Sequence, residues 1–263
     1  MLNRIVPLVA ACATALVGSA QIAHEGSPSG WGTPWMPEVE YVVTEALDWA
    51  TIQAADSVTD QYKEAPWRFG MEREVNFDLS NSGGWTVEGG ERVWRLGVHC
   101  PECVNVSFYL DAFDLAKGGA LYVWKADRTA YLGAFTEANE KPWGGFAIGL
   151  LEGDSVVMEL HEPLSASGLS HLSIGQIIHG YRSLMAHPDA PSPGTAALGP
   201  FGNSGACNVN VNCPEGADWQ TEKKAVALIA SGGFASCTGA LINNVESDGT
   251  PYFLTANHCL GTP

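Results

Sequence analysis

The sequence predicts an all-β fold, with an antiparallel β-sandwich in its middle and a shorter β unit after it. Three observations carry this. From Arg73 to Leu184, short runs alternate apolar and polar residues: Val104, Val106, Phe108 and Leu110 share one face, and Asn105, Ser107 and Tyr109 the other. Turn residues separate the runs at Gly83-Gly84, Gly89-Gly90, Lys117-Gly118-Gly119 and Glu152-Gly153-Asp154. No segment sustains a helical period of apolar residues.

Taken in chain order, residues 1–20 read as a secretory signal. Met1-Leu2-Asn3-Arg4 gives a positive start, Ile5 to Val17 is apolar apart from Thr14, and Gly18-Ser19-Ala20 suits cleavage at Ala20/Gln21. That apolar core is too short to span a bilayer as a helix, so a secreted product, extracellular or periplasmic, is expected, with no membrane partner after signal removal. Residues 21–72 form a leader of uncertain structure, rich in Gly, Pro and Ser up to about residue 40, then acidic and without a helical stripe. Residues 73–185 make the sandwich, with further strands at Leu121–Trp124, Val156–Leu160 and Leu172–Tyr181. Residues 186–205 have linker composition, as in Pro188-Asp189-Ala190-Pro191-Ser192-Pro193-Gly194. The unit at 206–263 begins a second domain.

Charge and cysteines narrow the function classes. With 13 basic and 29 acidic residues the net charge is −16, which disfavours nucleic acid as a partner. Of seven cysteines, Cys12 leaves with the signal. Cys100, Cys103, Cys207, Cys213, Cys237 and Cys259 remain, an even set that an oxidising compartment favours as disulfides. Cys100-Pro101-Glu102-Cys103 is open to three readings: half a zinc site, a redox pair or a local disulfide. Export favours the disulfide, and no second C-x-x-C or His-x-His follows at ligand spacing, so neither a metal nor a cofactor is expected. Asn105-Val106-Ser107 matches a glycosylation sequon, but it falls on a predicted strand.

The last sixty residues carry the most specific signal. Cys237-Thr238-Gly239-Ala240-Leu241-Ile242 reads as a strand, Asn243-Asn244 and Ser247-Asp248-Gly249 as a turn, and Tyr252-Phe253-Leu254-Thr255-Ala256 as a second strand that delivers His258 and then Cys259. If the strands pair, Cys237 and Cys259 can close a disulfide at the base of the histidine, contributing about 3 kcal/mol by loop-closure entropy. A general base needs such restraint, because it must stay within hydrogen-bond reach of its nucleophile.

These residues resemble the catalytic-histidine motif of the trypsin fold. Upstream, the run from Ser204 through Cys207-Asn208-Val209-Asn210-Val211-Asn212-Cys213 to Gly216 resembles the mature N-terminus of bacterial lysyl endopeptidases, with Lys223-Lys224-Ala225-Val226-Ala227 opening the first barrel strand. The resemblance implies the first strands of a truncated trypsin-like β-barrel, a Cys237–Cys259 pair, and partners for Cys207 and Cys213 further along. It also implies a Ser-His-Asp mechanism with His258 as general base and a protein or peptide substrate. The triad Asp and Ser are expected beyond Pro263, so residues 1–263 would be signal peptide, pro-region and the start of the catalytic domain, inactive alone. Two departures stand out. Asn257 occupies a position where many relatives carry Ala or His. Phe201 precedes Gly202 and the nearest upstream basic residue is Arg182, so self-cleavage after lysine does not fit this junction. Val93-Trp94-Arg95-Leu96, Leu121-Tyr122-Val123-Trp124 and Ile177-Ile178-His179-Gly180-Tyr181-Arg182 resemble the pro-region that precedes such proteases. The rival reading is a non-enzymatic secreted β-sandwich binding module carrying a vestigial protease segment.

Overall fold

The computed structural model describes residues 23–31, 38–62, 65–184, 209 and 211–260. The expected signal peptide at 1–20, the linker at 186–205 and Cys207 lie outside them. In chain order the elements begin with β1 (Tyr41–Val43), helix α1 (Trp49–Thr59), β2 (Trp67–Arg68), β3 (Gly70–Asp78), β4 (Gly84–Glu88) and β5 (Glu91–His99). β6 (Asn105–Asp114), β7 (Ala120–Lys125), β8 (Tyr131–Phe135), β9 (Phe146–Glu152), β10 (Ser155–Pro163) and β11 (His171–Gly180) follow. The last three are β12 (Val226–Ser231), β13 (Phe234–Ile242) and β14 (Tyr252–Thr255). The all-β expectation holds, and among the described residues no helix is long and apolar enough to cross a membrane.

Two sheets face each other. One runs β1-β5-β10-β7-β8, with β4 also on β5, and the other runs β3-β11-β6-β9. The predicted glycine turns do different jobs. Gly89-Gly90 closes the β4–β5 hairpin within one sheet, whereas Lys117-Gly118-Gly119 and Glu152-Gly153-Asp154 carry the chain from one sheet to the other. The core between them follows the period-two pattern: Trp94, Leu96 and Val98 of β5 meet Met158 and Leu160 of β10, opposite Val106, Phe108 and Leu110 of β6 and Ile174 and Ile177 of β11.

The outer face of β5 and β10 is also buried, which the alternation did not foresee. Residues of the 21–72 leader cover it. His24 exchanges two backbone hydrogen bonds with Ala134, Tyr131 donates to the Gly26 carbonyl, and the Ser29 amide donates to Glu159 at 2.6 Å. Beneath them Arg95 bridges Glu159 and Glu88, and His161 bridges Glu159 and Glu91. Hydrogen bonding from Arg95 holds the Glu88 carboxyl down at about 2. Burial alone would lower the His161 pKa, but the two carboxylates outweigh it and raise it.

The leader, whose structure the sequence left open, contains a helix. Asp48 caps α1 by accepting from the Thr51 amide. Only Ile52 and Asp56 of α1 are buried, so its apolar stripe is too narrow to register as a period. Ile52 packs with Leu47 and Tyr181. Asp56 accepts from Tyr181 at 2.7 Å, Arg68 at 2.6 Å and Arg182 at 2.8 Å.

The third sheet is open. β12 and β13 form a hairpin, β14 pairs with β13, and β2 reaches over from the sandwich to pair with β13 at Phe234 and Ala235. Where the sequence led us to expect the start of a trypsin-like barrel, the described residues hold this open sheet and no closed barrel. Val226, Leu228, Leu241, Tyr252, Phe253 and Leu254 stay exposed.

Leu160→Ala in the core should lower stability by about 2–5 kcal/mol through lost contacts and an unfilled cavity, measured as a drop in the urea midpoint. His179 is fully buried, and burial holds its pKa down at about 4, below the ordinary value of about 6.5. Above that ordinary value both folded and unfolded states are neutral there; on acidification the unfolded chain protonates first. Wild type should therefore lose on the order of 2 kcal/mol relative to His179→Leu between about pH 6.5 and about 4, read from paired urea titrations. His161 is linked with the opposite sign, its contribution being lost as pH rises, and it cancels in this difference.

Candidate active site

His258 sits where two local constraints meet. β13 and β14 pair through Gly239↔Thr255 to Ile242↔Tyr252, and the Thr255 hydroxyl donates to the Thr238 carbonyl at 2.9 Å. β14 then ends, and a 3-10 turn over Asn257–Leu260 is started by the Cys259 amide donating to Ala256 at 3.0 Å. A disulfide joins Cys237 to Cys259 across a separation of 22 residues, with Cα atoms 5.8 Å apart, the bond that pairing of the strands was expected to permit. One ring nitrogen of His258 lies within 4.8 Å of both sulfurs. The histidine is solvent-exposed and stands on backbone tied by a ladder on one side and a covalent bond on the other.

The geometry brings together His258, Cys237 and Cys259, but no second member of a triad. Among the described residues, no hydroxyl or carboxylate hydrogen-bonds the His258 ring. Asp248 accepts from the Thr250 amide and from Asn244, and hydrogen bonding, first from Thr250, lowers its pKa; it shapes the β13–β14 turn. Asp218 is exposed in the 3-10 turn Pro214–Trp219. The Cys237/His258/Cys259 cluster has metal-ligand spacing, yet its sulfurs are bonded to each other and offer no thiolates.

The other cysteines fall differently from the sequence expectation. Cys100 and Cys103 are free and buried, so the local disulfide is corrected to a thiol pair in the core. The Cys103 thiol donates to the Gly153 carbonyl at 3.3 Å, and its amide donates to Cys100 at 3.2 Å, which satisfies the loop without a covalent bond. The adjacent Cys100 thiol and burial push the Cys103 pKa up. Cys213 is free and exposed.

Residues 201–263 match the family described as "Lysyl endopeptidase, C-terminal domain". The match is to the C-terminal, not the N-terminal, part of a lysyl endopeptidase, and it covers the unit that contains His258. It relates this unit to proteases. Among solved structures, the isomalto-dextranase of Arthrobacter globiformis T6 complexed with panose is 12% identical, with a TM-score of 0.18 over 43% of this chain. This chain spans 22% of that structure's length, and a likeness at that score carries no argument about fold or function.

Replacing Cys237 and Cys259 with Ala should cost the β13–β14 unit about 3 kcal/mol. The expected readout is exchange of the β13–β14 ladder amides on the order of a hundredfold faster, with β10 amides unchanged.

Proposed function

We propose that residues 206–263 are the histidine-bearing opening of the catalytic domain of a secreted serine endopeptidase, and that the sandwich is its pro-region. The observation that carries this is the exposed His258 on a turn fixed by the Cys237–Cys259 disulfide at the end of a paired strand. In this reading His258 takes the proton from a serine nucleophile and returns it to the leaving amine. The family match over 201–263 supports the protease class, and the signal-like N-terminus supports export. The exposed apolar faces of β12–β14 fit a sheet that packs against further β structure. The substrate is a polypeptide; Cys207 and Cys213 are read as halves of disulfides with other cysteines.

The sandwich has one feature that favours the binding-module alternative, a cleft of about 460 Å³ lined by Trp85, Arg92, Asp78 and Glu162 among others. Its charged groups Asp78, Arg92 and Glu162 are already engaged within the protein. Arg92 lies 4.0 Å over the Trp85 ring and pairs with Glu162, which also accepts from the Gly168 and Ser170 amides. The protease reading is the stronger one.

The test uses the native gene product at its natural length. It should react with an organophosphorus serine probe and cleave a fluorogenic peptide. His258→Ala should lower kcat by roughly 10⁴-fold or more with KM nearly unchanged. Full activity in His258→Ala, or no probe labelling of the wild type, would sink the reading.

A further inference from the structure

Cys100 and Cys103 take no part in the chemistry of His258, yet their backbone is built to bring two thiols together. Pro101 stands at the second position of a turn, Glu102 has a φ of 63° at the third, and the Cys103 amide donates to the Cys100 carbonyl at 3.2 Å. These are the marks of a type II turn, whose end Cα atoms lie within about 7 Å and whose third residue is usually glycine. A disulfide asks for a Cα separation of roughly 4.4–6.8 Å, so the turn sets the pair close to bonding reach without moving the strands on either side. Glu102 holds the left-handed position against its steric preference, and its carboxylate accepts from the Trp49 indole at 2.6 Å.

The two thiols touch, and their surroundings make them unequal. Contact with Cys103 holds the Cys100 pKa down against burial, helped by the Arg73 guanidinium. Cys103 is pushed up by the same contact and by burial, and its thiol donates to the Gly153 carbonyl at 3.3 Å. The leader lies against this turn. Besides the Trp49 contact, the Thr44 amide donates to the His99 carbonyl at 2.9 Å. That cover is thin, since β1 has three residues on the edge of its sheet and only Ile52 and Asp56 of α1 are buried. Segments with so few buried contacts open locally before the core unfolds.

We propose that Cys100 and Cys103 form a thiol–disulfide exchange site in the sandwich, reached when residues 41–59 of the leader lift, and that its partner is a small aliphatic disulfide. The Cys100 thiolate attacks one sulfur of that disulfide, forming a mixed disulfide and releasing the first thiol once it is protonated. Cys103 then gives its proton to solvent and attacks Cys100 Sγ, which closes the Cys100–Cys103 bond and releases the second thiol. The protein loses two electrons and two protons, the small disulfide gains them, and excess thiol runs both steps backwards. This site is independent of the reading of His258 as a general base.

The test equilibrates the native full chain in glutathione mixtures from fully reduced to fully oxidised. Samples are quenched in acid, alkylated and digested with trypsin, and the peptide of residues 96–117, which holds Cys100 and Cys103 and no other cysteine, is weighed. It should pass from doubly alkylated to unalkylated and two hydrogens lighter as the oxidised share rises, and return with excess thiol. A peptide doubly alkylated at every ratio overturns the proposal, and so does a bond that excess thiol does not reopen. Cys103→Ala should stall at the mixed disulfide on Cys100, whereas Cys100→Ala should take up glutathione at least about tenfold more slowly at neutral pH. Equal uptake by the two variants overturns Cys100 as the attacking group. Trp49→Phe, which keeps a ring but removes the indole donor, should speed oxidation roughly tenfold, and an unchanged rate overturns the leader as the cover. If an alanine variant does not fold, the wild-type titration decides.

Discussion

Asp56 accepts hydrogen bonds from Tyr181, Arg68 and Arg182 at a site almost closed to water. Two guanidinium groups and a phenol around one carboxylate satisfy one another only in a narrow set of positions, because a buried charge without its partners is costly. The cluster joins three pieces of backbone. Asp56 fixes α1, Tyr181 and Arg182 follow the end of β11, and Arg68 sits in β2. Burial and the Asp56 contact also raise the Tyr181 pKa, so the phenol remains a donor. Through β2 the same cluster reaches the C-terminal unit, since the strand that Arg68 anchors is the one that joins β13.

The two parts of the chain solve the burial problem in opposite ways. The sandwich closes a core between its sheets, and it covers its outer face with residues 24–31 over the Arg95, Glu159 and His161 network. The C-terminal sheet has no such core among the described residues, and its apolar side chains face solvent. Its order comes from a hairpin ladder, one disulfide and the edge contact with β2. That difference bears on His258, whose backbone is well constrained while its surroundings are open. Its ring meets no hydroxyl or carboxylate partner among the described residues.

Much of this was legible in the residues. Alternation located β6, because a strand buried on one face imprints a period of two on its sequence, while β7 and β10, buried on both faces, were legible as short apolar runs between turn residues. The spacing of Cys237, His258 and Cys259 likewise located the disulfide and the histidine, since the pairing brings the two cysteines within bonding distance. What failed was weaker in signal. α1 buries Ile52 and a charged Asp56, so no apolar stripe announced it. Cys100 and Cys103 looked like a disulfide by spacing and compartment, but a C-x-x-C spacing fixes proximity and not oxidation state.

By itself, then, the sequence determined the all-β class, the positions of most strands, and the chemical character of the His258 segment. These depend on neighbours a few residues apart, through side-chain alternation, turn residues and cysteine spacing. The tertiary structure alone decided that the leader covers the sandwich, that Asp56 meets Tyr181 across 125 residues, and that β2 lies on the edge of β13 beside the histidine. Those contacts join residues whose local patterns are ordinary. Their energy comes from satisfying buried charges and open strand edges, and that depends on where the whole chain has folded.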